Sequence, residues 1–100
     1  MKKEQQTALR VNILQNCIDE LTIVGLSKKV TVRDALENVR EHLNDYPHFD
    51  QFNYQKPDRL AVMATSKINF GLIGDIPPKK AIKQALEYLC NALGMLTDGK

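Results

Sequence analysis

The chain has no tryptophan, only two serines and two cysteines, and few glycines and prolines among its 100 residues, and each shortage removes a class of chemistry. Neither Ser27 nor Ser66 sits in the glycine-framed elbow that presents a nucleophile. Cys17 and Cys90 form no Cys–x–x–Cys pair, so spacing excludes a zinc ribbon or a thioredoxin-type motif. The segment Gly71-Leu72-Ile73-Gly74 lacks the lysine that gives a phosphate loop its meaning. No enzyme and no cofactor are expected. A membrane span needs roughly 18–20 mostly apolar residues in a row, and the longest candidate, Leu60 to Ile76, is interrupted by Thr65, Ser66, Lys67, Asn69 and two glycines. Lys2 and Lys3 are followed by Glu4, Gln5 and Gln6 where a secretory signal would turn apolar. The expectation is a cytoplasmic protein with no membrane contact and with free thiols, both cysteines lying on the buried stripes of helices.

What is present is helical periodicity. No stretch alternates apolar and polar residues long enough to make a strand. In the first helix, from about Glu4 to Val24, Val11, Leu14, Ile18 and Leu21 share one face, widened by Cys17 and Val24. Arg10, Gln15, Asp19 and Glu20 fall outside that stripe, and Gly25 suits a helix stop. Thr31 is placed to cap a second helix by accepting from the backbone of Asp34. Val32, Ala35, Leu36, Val39 and Leu43 form its apolar face, and it ends before Pro47. Pro57-Asp58 opens a third helix that buries Leu60, Met63, Ala64 and Ile68 and stops near Gly71 or Gly74. Val62 and Phe70 do not fit its face, and an extended piece over 68–73 is the competing reading. The last helix runs from about Pro78 to Leu96, with Ile82, Leu86, Leu89, Leu93 and Leu96 inward and Ala85, Cys90 and Ala92 beside them. Four amphipathic helices with short turns predict an all-α, antiparallel bundle in a single domain. A chain of this length buries only about 60–65% of its unfolded surface, and self-association as a homodimer would relieve so thin a core.

Charge and aromatic residues are unevenly placed. The formal charge of +2 divides into +2 over residues 1–30, −3 over 31–50 and +3 over 51–100. Lys79, Lys80 and Lys83 crowd the first turns of the last helix, where the helix dipole disfavours cations. With Lys28 and Lys29 they make a candidate basic patch that would suit phosphate or an acidic partner. Four of the six aromatics, Tyr46, Phe49, Phe52 and Tyr54, fall within nine residues. They are either a partner-binding surface with Asp50, Gln51, Asn53 and Gln55 as a polar rim, or a plug of Phe49 and Phe52 that leaves the tyrosines partly wet. His42, Asp45, His48 and Asp50 have metal-ligating chemistry, but His42 in a last helical turn is explained by the dipole, so no metal is expected.

Three functions fit these features. The leading expectation is a non-enzymatic helical interaction module (adaptor, regulator or inhibitor) acting on a protein partner, as a homodimer. The second is a nucleic-acid-binding regulator using the lysine patch. It is disfavoured because the helix after the 25–31 turn, in the recognition position, carries Asp34, Glu37 and Glu41, which phosphate repels. The third is a pocket for a small anionic ligand served by the same lysines.

Overall fold

The computed structural model describes residues 3–24, 31–46 and 56–98. They form four helices, α1 (Lys3–Ile23), α2 (Val32–Asn44), α3 (Lys56–Ile73) and α4 (Pro78–Asp98), and no strand occurs among the described residues. Each helix packs on its neighbours in the order α1, α2, α3, α4 and back to α1, with the closest association between α3 and α4. The result is a small all-α bundle. No helix of the described residues is long and apolar enough to cross a membrane.

The punctuation explains the boundaries. The Asp34 N–H donates to the Thr31 hydroxyl at 3.1 Å, so α2 starts on the cap that its sequence offers. Its apolar face buries Ala35, Leu36, Val39 and Leu43. The segment 68–73 is helical rather than extended, and it closes α3. Gly74 takes φ 89°, and the N–H groups of Gly74 and Asp75 both return to the Phe70 carbonyl, at 3.1 and 2.9 Å. That left-handed position is one that glycine fills without steric cost. Gly25 lies outside the described residues.

The inward faces of α3 and α4 differ from the periodicity reading. On α3 the apolar buried residues are Pro57, Ala61, Ala64, Ile68 and Gly71, whereas Leu60 is half-buried and Met63 is 37% exposed. On α4 they are Ala81, Ala85, Leu89 and Ala92, while Ile82, Leu86, Leu93 and Leu96 pack only partly against the core. Cys90, expected on a buried stripe, is exposed. The reason is steric. Helices crossing at close range need small side chains at the contact, and a Cβ built on Gly71 would lie 2.5 Å from the Ala81 Cβ. With Ala81 set against α3 and Leu89 buried, α4 carries its other large apolar residues at the edge of the bundle. Val62 and Phe70 are exposed on α3, as their misfit to its inner face implies, together with Met63 and Ile73.

Candidate partner-binding groove

Two clusters of side chains stand out, one sealed and one open. The sealed cluster joins α1 to the start of α3. Arg10 and Asp58 are both 0% exposed, and Arg10 donates from Nε to Asp58 Oδ1 at 2.7 Å and from Nη2 to Oδ2 at 2.9 Å. The Tyr46 hydroxyl donates to the same Oδ1 at 2.8 Å, and the Arg10 guanidinium lies 5.9 Å from the Tyr46 ring centre. Periodicity sets Arg10 outside the apolar stripe of α1. It is buried nonetheless, because position 10 continues the line through Leu14, Cys17 and Leu21, and the forked carboxylate pair satisfies its charge.

Tyr46 is thereby removed from the candidate partner surface. It is 2% exposed and anchored by its hydroxyl, so it belongs to the core rather than to a wet loop. Burial first, and the adjacent Asp58 carboxylate second, push its phenol well above the usual range. Phe49, Phe52 and Tyr54, the other members of that candidate surface, lie outside the described residues, as do Lys28, Lys29, His48 and Asp50. Of the remaining histidine–aspartate cluster, His42 approaches Glu20 at 4.0 Å, and Asp45 closes α2 with its N–H on the His42 carbonyl.

The open cluster is a groove between α1 and α4. One depression of about 510 Å³ is lined by Ile18, Thr22, Leu86, Glu87, Cys90 and Asn91. A second, of about 360 Å³, shares Thr22 and Leu86 and continues past Leu21, Val24, Val32 and Ile82 to Lys79. The two make one mostly apolar strip. Lys79, Lys80 and Lys83 border a third depression with Gln84 and Glu87, which shares Lys79 with the second depression and Glu87 with the first. The structure thus brings three of the five candidate lysines together beside the strip, with Lys79 at its end. All three are exposed, and among the described residues none forms an ion pair. Sequence alone does not reveal the groove. Periodicity assigns its residues to the core, and only the lysines at its end carry a signal.

The two thiols report on this arrangement. Cys17 is fully buried, its Sγ facing the Val39 carbonyl at 4.0 Å, and burial, aided by Glu20, pushes its pKa up to about 12. Iodoacetamide at neutral pH should therefore modify Cys90 in the folded protein and reach Cys17 only on unfolding, because thiolate and access are both required. Mass spectrometry of the native and denatured samples checks this. Equal labelling of both in the native state would contradict the buried position of Cys17.

Compared with protein-family models, curated proteins and solved structures, the chain matches none.

Proposed function

We propose that the protein is a non-enzymatic helical interaction module that holds a helix of a protein partner in the α1–α4 groove. The observation that carries this reading is the apolar strip itself, running from Cys90 and Ile18 through Leu86 to Ile82 and Val32. Apolar side chains left half-exposed in a continuous line keep apolar area in water that the fold itself does not cover, whereas an amphipathic helix laid along them removes that area from water. The nucleic-acid reading is weaker. The outward residues of α2 include Asp34 and Glu41, and Arg33 is engaged by Glu37 at 3.1 Å. The small-anion reading suffers from Glu87, whose carboxylate lines the lysine-bordered depression.

Helical peptides selected from a displayed library against the folded protein provide the test. Cys90→Glu puts a carboxylate into the strip at an exposed position, so the fold should be kept. Binding of the selected peptides should weaken by about tenfold or more, the equivalent of losing about 1.4 kcal/mol of apolar contact. Peptides that bind Cys90→Glu as well as the parent would place the binding surface elsewhere.

A further inference from the structure

We infer that the occupant of the groove is an amphipathic helix of another protein that carries carboxylates at the end lying beside Lys79 and Lys83; the inference rests on the groove being the binding surface. Along α4 the apolar positions of the strip, Ile82, Leu86 and Cys90, recur every four residues. They follow the α4 axis over about 12 Å, which is two turns of a partner helix. Lys79 lines the strip directly, and Lys80 and Lys83 continue from it. These lysines sit in the first two turns of α4, where the positive end of the dipole makes a cation unfavourable. Stability of the helix does not account for them, and neither does any ion pair among the described residues. Carboxylates supplied by a partner would meet both the lysines and the dipole.

Charge and apolar pattern argue against the α2 or the α3 face of a second copy as the occupant. Its acidic helix, α2, buries Ala35, Leu36, Val39 and Leu43 within its own bundle, so its outer face offers carboxylates without anchors. Its α3 exposes Val62, Met63, Phe70 and Ile73, but the one acid within that helix, Asp58, is buried against Arg10, so α3 offers anchors with no carboxylate nearer than Asp75 beyond its end. The occupant needs both. Glu87 lines both the first depression and the lysine-bordered one, whereas the second, which ends at Lys79, does not include it, so acids on the partner fit best at the Lys79 end of the strip.

Two synthetic helical peptides of about 16 residues test this. They share leucines at alternating three- and four-residue spacing and differ in carrying three Glu or three Lys at one end. By fluorescence anisotropy at low salt the Glu peptide should bind about tenfold or more tighter than its Lys twin, and the advantage should shrink between about 50 and 300 mM salt. The double substitution Lys79→Glu/Lys83→Glu should reverse the preference. It should leave the thermal melt unchanged or raised, because acids suit a helix start. Equal binding of the two peptides, sensitive to Cys90→Glu but not to the lysine changes, overturns the acidic partner and leaves the groove standing. Failure of both peptides to bind overturns the inference, and it reaches the groove as well if library peptides are also indifferent to Cys90→Glu. Dimerisation that Cys90→Glu abolishes would assign the strip to a second copy. Displacement of the Glu peptide by duplex DNA would assign the lysines to phosphate.

Discussion

Replacing Asp58 with asparagine should cost about 3–5 kcal/mol, a large share of the ~5–15 kcal/mol that holds a small domain together. Arg10 and Asp58 are fully buried and joined by two short hydrogen bonds. Their value to the fold does not lie in the attraction itself, much of which is offset by taking two charges out of water. It lies in the penalty for leaving either one buried alone. Arginine cannot shed its proton, so Asp58→Asn strands a cation in the interior and deprives Tyr46 of its charged acceptor. Arg10→Met should be milder, because the abandoned carboxyl can take up a proton. The combined Arg10→Met/Asp58→Leu/Tyr46→Phe protein, which replaces all three side chains of the pair and its tyrosine, should recover most of the loss, since apolar packing of similar volume replaces a buried pair at little cost. Urea denaturation of the three proteins measures the series. A loss below about 1 kcal/mol for Asp58→Asn would mean that water reaches the pair.

That cluster also marks where sequence reading stops. Helix existence is legible because it depends on neighbours in the chain: Thr31 three residues before Asp34, Gly74 just past Ile73, and the apolar face of α2. The pairing of Arg10 with Asp58 spans 48 residues. Nothing local distinguishes Arg10 from Gln15 or Asp19, so local pattern puts a charged residue outside. The aromatic run points to Tyr46 as a residue of consequence but not to its direction, because its partner lies twelve residues on, at the start of the next helix. The faces of α3 and α4 are misread for a different reason. Periodicity ranks positions by hydrophobicity and turns leucines inward, whereas a close crossing selects alanine and glycine. The groove is the consequence of that rotation: with Ala81 against Gly71 of α3 and Ala85 and Ala92 buried, Ile82 and Leu86 lie at the seam with α1. Of the candidate site, the lysines are visible in the sequence, since a cation at a helix start contradicts a local rule; the apolar strip is not.

The crossing itself gives the second large effect. Alanine is favoured over glycine inside a helix by about 1 kcal/mol, and on that ground Gly71→Ala would stabilise α3. At this position it should destabilise the protein instead. The added Cβ would stand 2.5 Å from the Ala81 Cβ and 3.3 Å from a Leu36 methyl. The first neighbour is fixed to the α4 backbone and cannot swing aside, so the two helices must separate. Overpacking of a tight core costs about 1–3 kcal/mol, which outweighs the propensity gain, and Gly71→Val should cost more. The compensating pair Gly71→Ala/Ala81→Gly moves the methyl across the interface and should restore stability to near that of the parent, although Ala81→Gly alone loses about 1 kcal/mol in propensity. Thermal melts of the four proteins complete a cycle whose coupling should exceed about 1 kcal/mol, as expected for residues in direct contact. Additive losses, or a higher melting temperature for Gly71→Ala alone, would mean that α3 and α4 do not meet at these two residues. Because α4 carries Ile82, Leu86 and the lysines on the side away from that contact, displacing it would also alter the groove. Gly71→Ala should therefore weaken the acidic peptide, and the compensated pair should bind it as the parent does.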